Sequence, residues 1–457
     1  MKSAESAVET MPHVQSALEN VSGELFVGNG LQLSRQAKRV IVVSTIGNAL
    51  EWFDFLVYGF FASIIARQFF PPGNPAAAML ATWATFGVGF LTRPLGGIII
   101  GAISDRAGRK AALSLTILLM AVGLICIALA PTYAQIGVGA PLLMLVGRFF
   151  QGFSAGGEIG CATAYLVEYA PSQRRGYVGS FQMVSQASAG VLGSLIGVAL
   201  THWLSPEQLA AFGWRVPFLF GLSIVPVGFY LRRSLEESPI FSSASDKGTL
   251  ARNPVSTVMA NEWSTILVAS GLTIFPTIGM YIFLIYMPTH ATRILHMNLQ
   301  DGLVSSVCGS LCYAFASPFM GMLSDKVGRR APMFVALIFG CLAAYPIYAN
   351  LNAHPTLVTL VLSQCLMMLC LALYMGGYPA YVSELMPTNV RSTGIAISYN
   401  LAVMVFGGFA PALVQWLTQA LNDPLAICYY VIFGCLVSTV ALFLAGRLRP
   451  VANGGLT

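Results

Sequence analysis

Charge is scarce in this chain. Only 9% of its 457 residues are Asp, Glu, Lys or Arg, whereas 56% are hydrophobic. Soluble domains carry about 25% charged residues, so a mostly water-exposed surface is excluded. The 9 cysteines and 5 histidines show no metal-ligand spacing, and no nucleophile cluster of an enzyme is present. The composition therefore predicts an integral membrane protein that is not an enzyme and needs no metal or cofactor.

The apolar runs are long and continuous. A helix needs about 20 apolar residues to cross a bilayer, whereas the strands of an outer-membrane barrel would alternate every second residue. We therefore predict an all-α membrane protein with twelve transmembrane helices. The predicted spans are 38–67, 77–103, 111–131, 140–169, 177–203, 213–231, 263–291, 302–324, 331–350, 356–385, 391–420 and 424–446.

One charged signature occurs twice, about 220 residues apart. The copies are Gly101-Ala-Ile-Ser-Asp105-Arg-Ala-Gly-Arg109-Lys110 and Gly321-Met-Leu-Ser-Asp325-Lys-Val-Gly-Arg329-Arg330. Repeated halves in an apolar chain are typical of secondary transporters, whose site lies between the halves. The predicted units are a polar tail at 1–34, a six-helix half at 35–231, a linker at 232–262, a second six-helix half at 263–447 and a short tail at 448–457.

The basic residues predict the orientation of the helices. Lys and Arg are retained on the cytoplasmic flanks of membrane spans. With the N-terminus inside, the outer face holds only Arg67, Arg215 and Arg293, so both termini are predicted to be cytoplasmic. This topology accounts for the net charge of +6 without a nucleic-acid partner. Residues 1–34 lack an apolar core and are expected to be a solvated tail, not a cleaved signal peptide.

The signature loops and the twelve-span plan resemble the major facilitator superfamily over about residues 38–449. Several segments resemble its metabolite:proton symporters: Glu51-Trp-Phe-Asp54-Phe, Gly89-Phe-Leu-Thr-Arg93-Pro-Leu-Gly-Gly97, Arg148-Phe-Phe-Gln-Gly-Phe-Ser-Ala-Gly-Gly-Glu158 and Gly213-Trp-Arg-Val-Pro217-Phe. Others are similar to citrate and tricarballylate carriers: Ile136-Gly-Val-Gly-Ala-Pro-Leu-Leu, Tyr286-Met-Pro-Thr and Phe406-Gly-Gly-Phe-Ala-Pro411. The resemblance implies the major facilitator fold, alternating access and proton-coupled import across a bacterial inner membrane.

Ionisable residues at membrane depth cost at least about 2.5–3.5 kcal/mol each, so those present usually face a cavity. Five are predicted here, all in the first half: Glu51, Asp54, Arg93, Arg148 and Glu158. Glu51 and Asp54 are spaced i, i+3 and share a helix face. Their depths, at about 1.5 Å per residue, place Glu51 opposite Arg93 and Asp54 opposite Arg148.

A carboxylate that loses its Arg to a substrate anion takes a proton more readily. We therefore assign proton coupling to Glu51, Asp54 and Glu158, and anion binding to Arg93 and Arg148. The alternative is a set of buried ion pairs that only orient the helices.

The second half offers neutral polar groups and no clear intramembrane charge. Amides and hydroxyls can orient a carboxylate or hydroxyl-bearing solute without holding it too tightly for release. The residues assigned to substrate binding in this half are Gln364, Asn400, Tyr286 and Tyr374. The alternative for the tyrosines is ordinary packing or anchoring at the membrane interface.

The signature loops are predicted to form a cytoplasmic gate. In each copy an Asp can face a helix N-terminus, and an Arg can reach a Glu at the inner end of a later span. The first set is Asp105, Arg109 and Glu168, and the second is Asp325, Arg329 and Glu384. Such a clasp would hold the outward-open state and break for inward opening. The alternative is that these charges only fix the topology.

Taken together, the residues and the resemblance predict a monomeric proton-coupled symporter that imports small organic anions. Di- or tricarboxylates such as citrate are the expected substrates, and the other expected partners are protons and the lipid bilayer. Two alternatives within the same family are symport of zwitterionic osmolytes such as proline or betaine and symport of shikimate-like monocarboxylates. An alternative of another class is a transporter-derived sensor, which would be expected to carry a sizeable cytoplasmic signalling domain.

Overall fold

Twelve long helices make up the computed structural model, which describes residues 35–71, 73–107, 109–168, 170, 172–233, 260, 262–386 and 391–448. In the first half they are α1 (Arg35–Phe60, continued by Ala62–Phe69), α2 (Pro75–Leu91 and Arg93–Ala107), α3 (Arg109–Ala128), α4 (Gly139–Glu168), α5 (Arg175–Gly179 and Phe181–Trp203) and α6 (Val216–Arg233). In the second half they are α7 (Trp263–Gly279, Met280–Tyr286 and Met287–Arg293), α8 (Leu299–Val327), α9 (Arg330–Ala353), α10 (Leu357–Met375 and Tyr378–Leu385), α11 (Arg391–Ala402, Val403–Gly407 and Ala410–Leu421) and α12 (Ala426–Ala445).

The long apolar runs form helices that suit a bilayer. Within the described residues, eight helices are long and apolar enough to span a membrane: α2, α5 and all six helices of the second half. Four of the five ionisable residues predicted at membrane depth lie in α1 and α4, which are not among these eight helices. The fifth, Arg93, lies in α2. The described part of the chain is therefore all-helical, and the chain is a multi-pass membrane protein.

The repeat seen in the sequence reappears in the packing. In the first half α1 packs on α5, α2 on α4, and α3 on both α4 and α6. The equivalent pairs in the second half are α7 with α11, α8 with α10, and α9 with both α10 and α12. The two bundles meet along α5 and α8, α4 and α11, α2 and α11, and α1 and α7.

Glycine allows α2 and α4 to touch through their backbones. A methyl group added at Gly152 would lie 1.6 Å from the carbonyl oxygen of Gly89, and one at Gly156 would lie 1.9 Å from that of Arg93. Small residues at membrane helix interfaces permit this close approach. This close approach fixes Arg93 on α2 beside the face of α4 that carries Arg148.

The bundles touch at both ends of the molecule. At the end that carries the second signature, a methyl at Gly321 of α8 would lie 2.7 Å from the carbonyl oxygen of Gly176 in α5. At the opposite end, a methyl at Gly59 of α1 would lie 2.1 Å from the side chain of Ile285 in α7. The two bundles are thus in contact at both ends of the region between them.

Candidate functional site

A buried ion pair lies at the centre of the first bundle. Arg93 on α2 and Glu51 on α1 approach to 3.8 Å between Nη2 and Oε1, and both side chains are buried. The guanidinium of Arg93 also lies 4.8 Å from the ring centre of Phe55 and 4.4 Å from that of Phe90. The pairing of Glu51 with Arg93 predicted from helix depth is present in the structure.

Arg148 on α4 lies in an aromatic cage. Its guanidinium carbon is 4.0 Å from the ring centre of Tyr58, 5.6 Å from Phe55 and 5.8 Å from Phe86. The side chain is 0% exposed, and none of its three guanidinium nitrogens has a hydrogen-bond partner in the structure. Ring faces attract a cation, but they do not satisfy N–H donors, and unsatisfied buried donors are costly. The arrangement is suited to an anion that accepts from this guanidinium.

Asp54 is held on α1, one turn beyond Glu51, and is 1% exposed. Its Oδ2 accepts a 2.8 Å hydrogen bond from Nε2 of Gln151 on α4, while its Oδ1 has no hydrogen-bond partner. Arg148 acts on it electrostatically without a direct ion pair. Asp54 and Arg148, predicted to lie opposite each other, are therefore close but do not form an ion pair, and the direct contact to Asp54 is made by Gln151.

Glu51, Asp54, Arg93 and Arg148 form a charged layer in the first bundle. The second bundle places neutral polar groups against this charged layer. The ring of Tyr281 on α7 meets Phe90 edge-on at 5.2 Å, and both Tyr281 and Tyr399 lie within the electrostatic reach of Glu51 and Arg93. Asn400 on α11 donates through Nδ2 to the carbonyl oxygen of Gly156 at 3.1 Å, and its Oδ1 is unpartnered. The charged layer thus lies at the boundary between the two bundles.

A small cavity adjoins the charged layer on the side of the second signature. It lies between α4, α5, α10 and α11, and it is lined by Thr163, Gln182, Met183, Gln186, Met375, Tyr378, Pro379, Val382, Ile395 and Tyr399. Gln186 is buried with an unpartnered Oε1, and Gln182 accepts from Thr163 at 3.1 Å. Because Tyr399 both lines the cavity and lies near Arg93, a solute could contact the cavity and the charged layer together.

The second signature joins the two bundles at its end of the molecule. The carboxylate of Asp325 accepts from the backbone N–H groups of Gly176 and Tyr177, each at 2.9 Å, at the start of α5. Arg329 is hydrogen-bonded to Asp325 and lies 3.7 Å from Glu384 on α10. Gly328 takes a φ of +89°, a backbone conformation that favours glycine, which explains the glycine of the signature.

Known proteins match nearly the whole chain. A family model described as "Sugar (and other) transporter" matches residues 40–265, and the model of the Major Facilitator Superfamily matches residues 278–456. The citrate-proton symporter of Klebsiella pneumoniae is 36% identical over 408 residues, covering 89% of this chain and 91% of the relative. The chain belongs to the major facilitator superfamily.

Relatives of this facilitator differ in substrate. The proline/betaine transporter of Escherichia coli (strain K12) is 33% identical over 426 residues, covering 91% of the chain and 84% of that relative. The resemblance to metabolite:proton symporters, and to citrate symporters among them, is thereby confirmed. The named relatives are transporters, and the chain is a transporter and not an enzyme.

Solved structures support the same fold. A partially occluded inward-open form of the xylose transporter XylE from E. coli has a TM-score of 0.73 and 18% sequence identity, covering 93% of this chain and 100% of that chain. Another XylE structure, bound to 6-bromo-6-deoxy-D-glucose, has a TM-score of 0.74 and 16% identity, with 91% and 96% coverage. At this level of sequence identity, the structural similarity shows that this chain has the same fold as XylE.

The residues predicted to bind substrate in the second half are placed in two different ways. Three of them make hydrogen bonds within their own bundle. Gln364 accepts from Ser305 and donates to the carbonyl oxygen of Phe283 at 2.8 Å. Tyr286 donates to Gln415 at 3.1 Å, and Tyr374 donates to the carbonyl oxygen of Leu272 at 2.7 Å. Asn400 alone among the four donates a hydrogen bond to the first bundle, although the ring of Tyr286 also lies 6.0 Å from that of Trp83 on α2.

Two residues that line the cavity of this facilitator were missed in the sequence. Gln182 and Gln186 are spaced i, i+4 on α5, so an amide pair on one helix face was the signal available.

Glu158 is buried on α4, ten residues after Arg148, as predicted. In the first signature set, the side chains of Asp105, Arg109 and Glu168 lie outside the described residues. Within the described part of the chain, no group of three or more His, Cys, Asp or Glu could hold a metal ion.

Proposed function

We propose that this chain is a proton-coupled symporter that imports small organic anions, with di- or tricarboxylates such as citrate as its substrates. The observation that carries the proposal is Arg148, a fully buried guanidinium whose nitrogens have no hydrogen-bond partner. An organic carboxylate would accept from it in the bidentate geometry that Arg favours. The citrate-proton symporters among the relatives support the substrate class.

Charge balance favours an anion with more than one carboxylate. Arg93 is neutralised by Glu51, and Arg148 lies near Asp54. When Glu51, Asp54 and Glu158, the three carboxyl groups assigned to coupling, take protons, two guanidinium charges are left for the substrate. Two carboxylates would restore neutrality in the buried layer, where unpaired charges are costly.

The proposed coupling follows from the same geometry. An arriving carboxylate competes with Asp54 and Glu51 for the arginines, and the displaced carboxylates take protons from the outer side. Once both the protons and the substrate are bound, the layer carries no net charge, so its burial in the closed form is not opposed. On the inner side, loss of the protons lets Glu51 pair with Arg93 and lets the ionised Asp54 act on Arg148 again, which expels the substrate towards the cavity that Gln186 lines.

We further propose the membrane topology of the chain. The twelve long helices are twelve spans with both termini cytoplasmic, because the Lys and Arg residues then lie mainly on the inner face. The units are the tail 1–34, the halves 35–231 and 263–447, the linker 232–262 and the tail 448–457. The inner membrane of a bacterium is the expected location, with the monomer as the transporting unit.

A specific observation also favours a second candidate, symport of a zwitterionic osmolyte. Phe55, Tyr58, Phe86 and Phe90 surround the two guanidinium groups, and such ring faces also suit a quaternary ammonium. Proline/betaine transporters are among the relatives. A betaine would place its carboxylate on an arginine and its cation among the rings.

Uptake into proteoliposomes separates these candidates. We expect an acid-outside gradient to drive accumulation of labelled citrate or tricarballylate, by up to about tenfold per coupled proton for each pH unit. The other labelled compounds are 2-oxoglutarate, shikimate and betaine, and protein-free liposomes and a protonophore serve as controls. Accumulation of betaine alone would support the osmolyte candidate, and no gradient-driven uptake of any of the five would contradict the proposal.

We propose that the second signature is a gate on the cytoplasmic side. Asp325 ties α8 of one bundle to the start of α5 in the other, so the bundles cannot separate there without breaking both hydrogen bonds. Arg329 and Glu384 extend the contact to α10. The first set, Asp105, Arg109 and Glu168, is proposed to act in the same way.

Asp325→Asn should shift the protein towards the inward-open state. Each hydrogen bond to a charged group contributes about 1.5–3 kcal/mol, so the loss should exceed that of a surface ion pair. A single cysteine placed at Thr163 in a cysteine-free background should react several-fold faster with a membrane-impermeant thiol reagent added from the inner side. Net transport should slow, while substrate affinity at equilibrium changes little.

The matched control is Asp423→Asn. Asp423 also accepts a backbone N–H, that of Leu425 at 2.8 Å, and a hydroxyl, that of Tyr429 at 2.7 Å, but all of these groups lie within one bundle. It should leave the labelling rate unchanged. Equal labelling and transport in Asp325→Asn and wild type would leave the signature with a role in topology alone.

A further inference from the structure

We propose that Gln151 is a positioning residue for proton coupling, whose amide serves both protonation states of Asp54. The proposal rests on the assignment of Asp54 as a coupling carboxylate. Gln151 has no charge and does not touch Arg148 through a hydrogen bond. It acts on the proton through the Asp54 carboxylate, to which it donates at 2.8 Å.

A third helix, α3, leaves room for the contact between Gln151 and Asp54. A methyl group added at Gly123 of α3 would lie 2.6 Å from Cγ of Gln151, so the side chain lies directly against the α3 backbone. From there it crosses to α1 and reaches Oδ2 of Asp54. The other oxygen, Oδ1, faces α6, where a methyl at Gly221 would lie 3.3 Å away. Gln151 is thus the only side-chain hydrogen-bond donor to Asp54 in the described part of the chain.

An amide suits both forms of a buried carboxyl group. With Asp54 ionised, Nε2 of Gln151 donates to Oδ2, a charge-assisted bond that favours the ionised form. With Asp54 protonated, its O–H needs an acceptor within this buried site. Oε1 of Gln151 is buried and unpartnered, and a half-turn of the amide places it where Nε2 was. Asp54 therefore keeps a hydrogen bond through the whole proton cycle.

Few other charged groups act on Asp54. Glu51 and Tyr58 lie on its own helix, Arg93 on α2, and Arg148 and Glu158 on α4. The neighbouring positions on α5 and α6 include Gly193, which meets Phe53 and Val57, and Gly221, which meets Oδ1. A change at Gln151 therefore alters the hydrogen bonding of Asp54 and leaves these charges in place.

The test is a pH titration of the purified protein by infrared spectroscopy. The band of the protonated carboxyl is assigned to Asp54 by its loss in Asp54→Asn. Because the charge-assisted bond is the stronger of the two, Gln151→Met should make protonation easier and move the midpoint upward by about one pH unit. Gln151→Asn, with an amide one methylene shorter, should give a smaller upward shift.

Ser154→Ala is the matched control, since Ser154 lies three residues along α4 and donates at 2.7 Å to the carbonyl oxygen of Thr116 on α3. Its midpoint should equal that of wild type. In citrate counterflow, the pH optimum should move with the infrared midpoint. In the Asp54→Asn background, Gln151→Met should cause no further shift of that optimum.

An unchanged midpoint in Gln151→Met would overturn the inference, and so would an Asp54 band that does not titrate. The infrared result is independent of transport. A wild-type protein whose Asp54 titrates with the expected dependence on Gln151, but which accumulates none of the five compounds, would contradict the proposed function and not the hydrogen-bonding role of Gln151.

Discussion

Asp54→Asn is expected to reduce pH-gradient-driven accumulation to equality between inside and outside, while exchange across the membrane continues. The amide keeps the size and neutrality of the protonated carboxyl, and it can still bond to Gln151 in the buried site. It cannot release a proton, so the inward gradient no longer contributes to transport. Uptake and counterflow are measured in the same proteoliposomes. Counterflow without gradient-driven uptake then shows that proton coupling is lost in a protein that is still folded and inserted.

Asp301→Asn is the matched control for this change. Asp301 lies in the first turn of α8, away from the charged layer, and its loss should leave accumulation at the wild-type level. Glu51→Gln should behave like Asp54→Asn, because Glu51 pairs with Arg93 in the same buried layer. Full accumulation in both amide variants would show that neither carboxylate carries the coupled proton.

Much of the fold could be predicted from the sequence. Hydrophobic length locates helices because a bilayer leaves no other partner for the backbone, and the signature repeat indicates two related bundles. The predicted spans at 331–350 and 424–446 correspond to α9 at Arg330–Ala353 and α12 at Ala426–Ala445. The sixth predicted span, 213–231, differs at its start, since Gly213–Arg215 forms a 3₁₀ turn before α6.

The candidate site was only partly predictable, for a physical reason. Charges in apolar helices stand out, and helix depth was enough to pair Glu51 with Arg93. Neutral amides do not stand out: Gln151 could not be told from other polar residues before the helices were placed, and the one signal for Gln186 was its i, i+4 spacing from Gln182. Rotation about the helix axis decides which of them meet a carboxylate or a cavity, and it depends on packing against neighbouring helices.

The same limit explains the tyrosines and Gln364. Composition marked them as polar groups available to a solute, but each has a hydrogen-bonding partner in its own bundle. Membrane helices use such bonds to hold their neighbours, and a sequence does not show whether a hydroxyl faces a helix or a cavity. Asn400 differs because its neighbour is the backbone of Gly156 in the other bundle.

Arg148→Lys is expected to raise the KM for citrate by about 10- to 100-fold, because one or more hydrogen bonds to a charged carboxylate are lost. Lysine keeps the positive charge, and an ammonium can still lie over the ring of Tyr58, as the guanidinium does at 4.0 Å. What it lacks is the planar fork that two carboxylate oxygens can share. The comparison therefore isolates hydrogen bonding from charge.

Arg215→Lys provides the control for an arginine in a similar aromatic contact. Arg215 lies 4.3 Å from the ring centre of Trp214, and its N–H groups donate to the backbone carbonyl oxygens of Ala130 and Ala211. The N–H donors of Arg215 are already used outside the charged layer, so KM should not change.

If Arg148→Lys and Arg93→Lys both keep the wild-type KM, the anion binds elsewhere, and Gln364 and Asn400 become the positions to test. A rise in KM only in Arg148→Lys would instead place the carboxylate on the guanidinium whose donors have no partner within the protein.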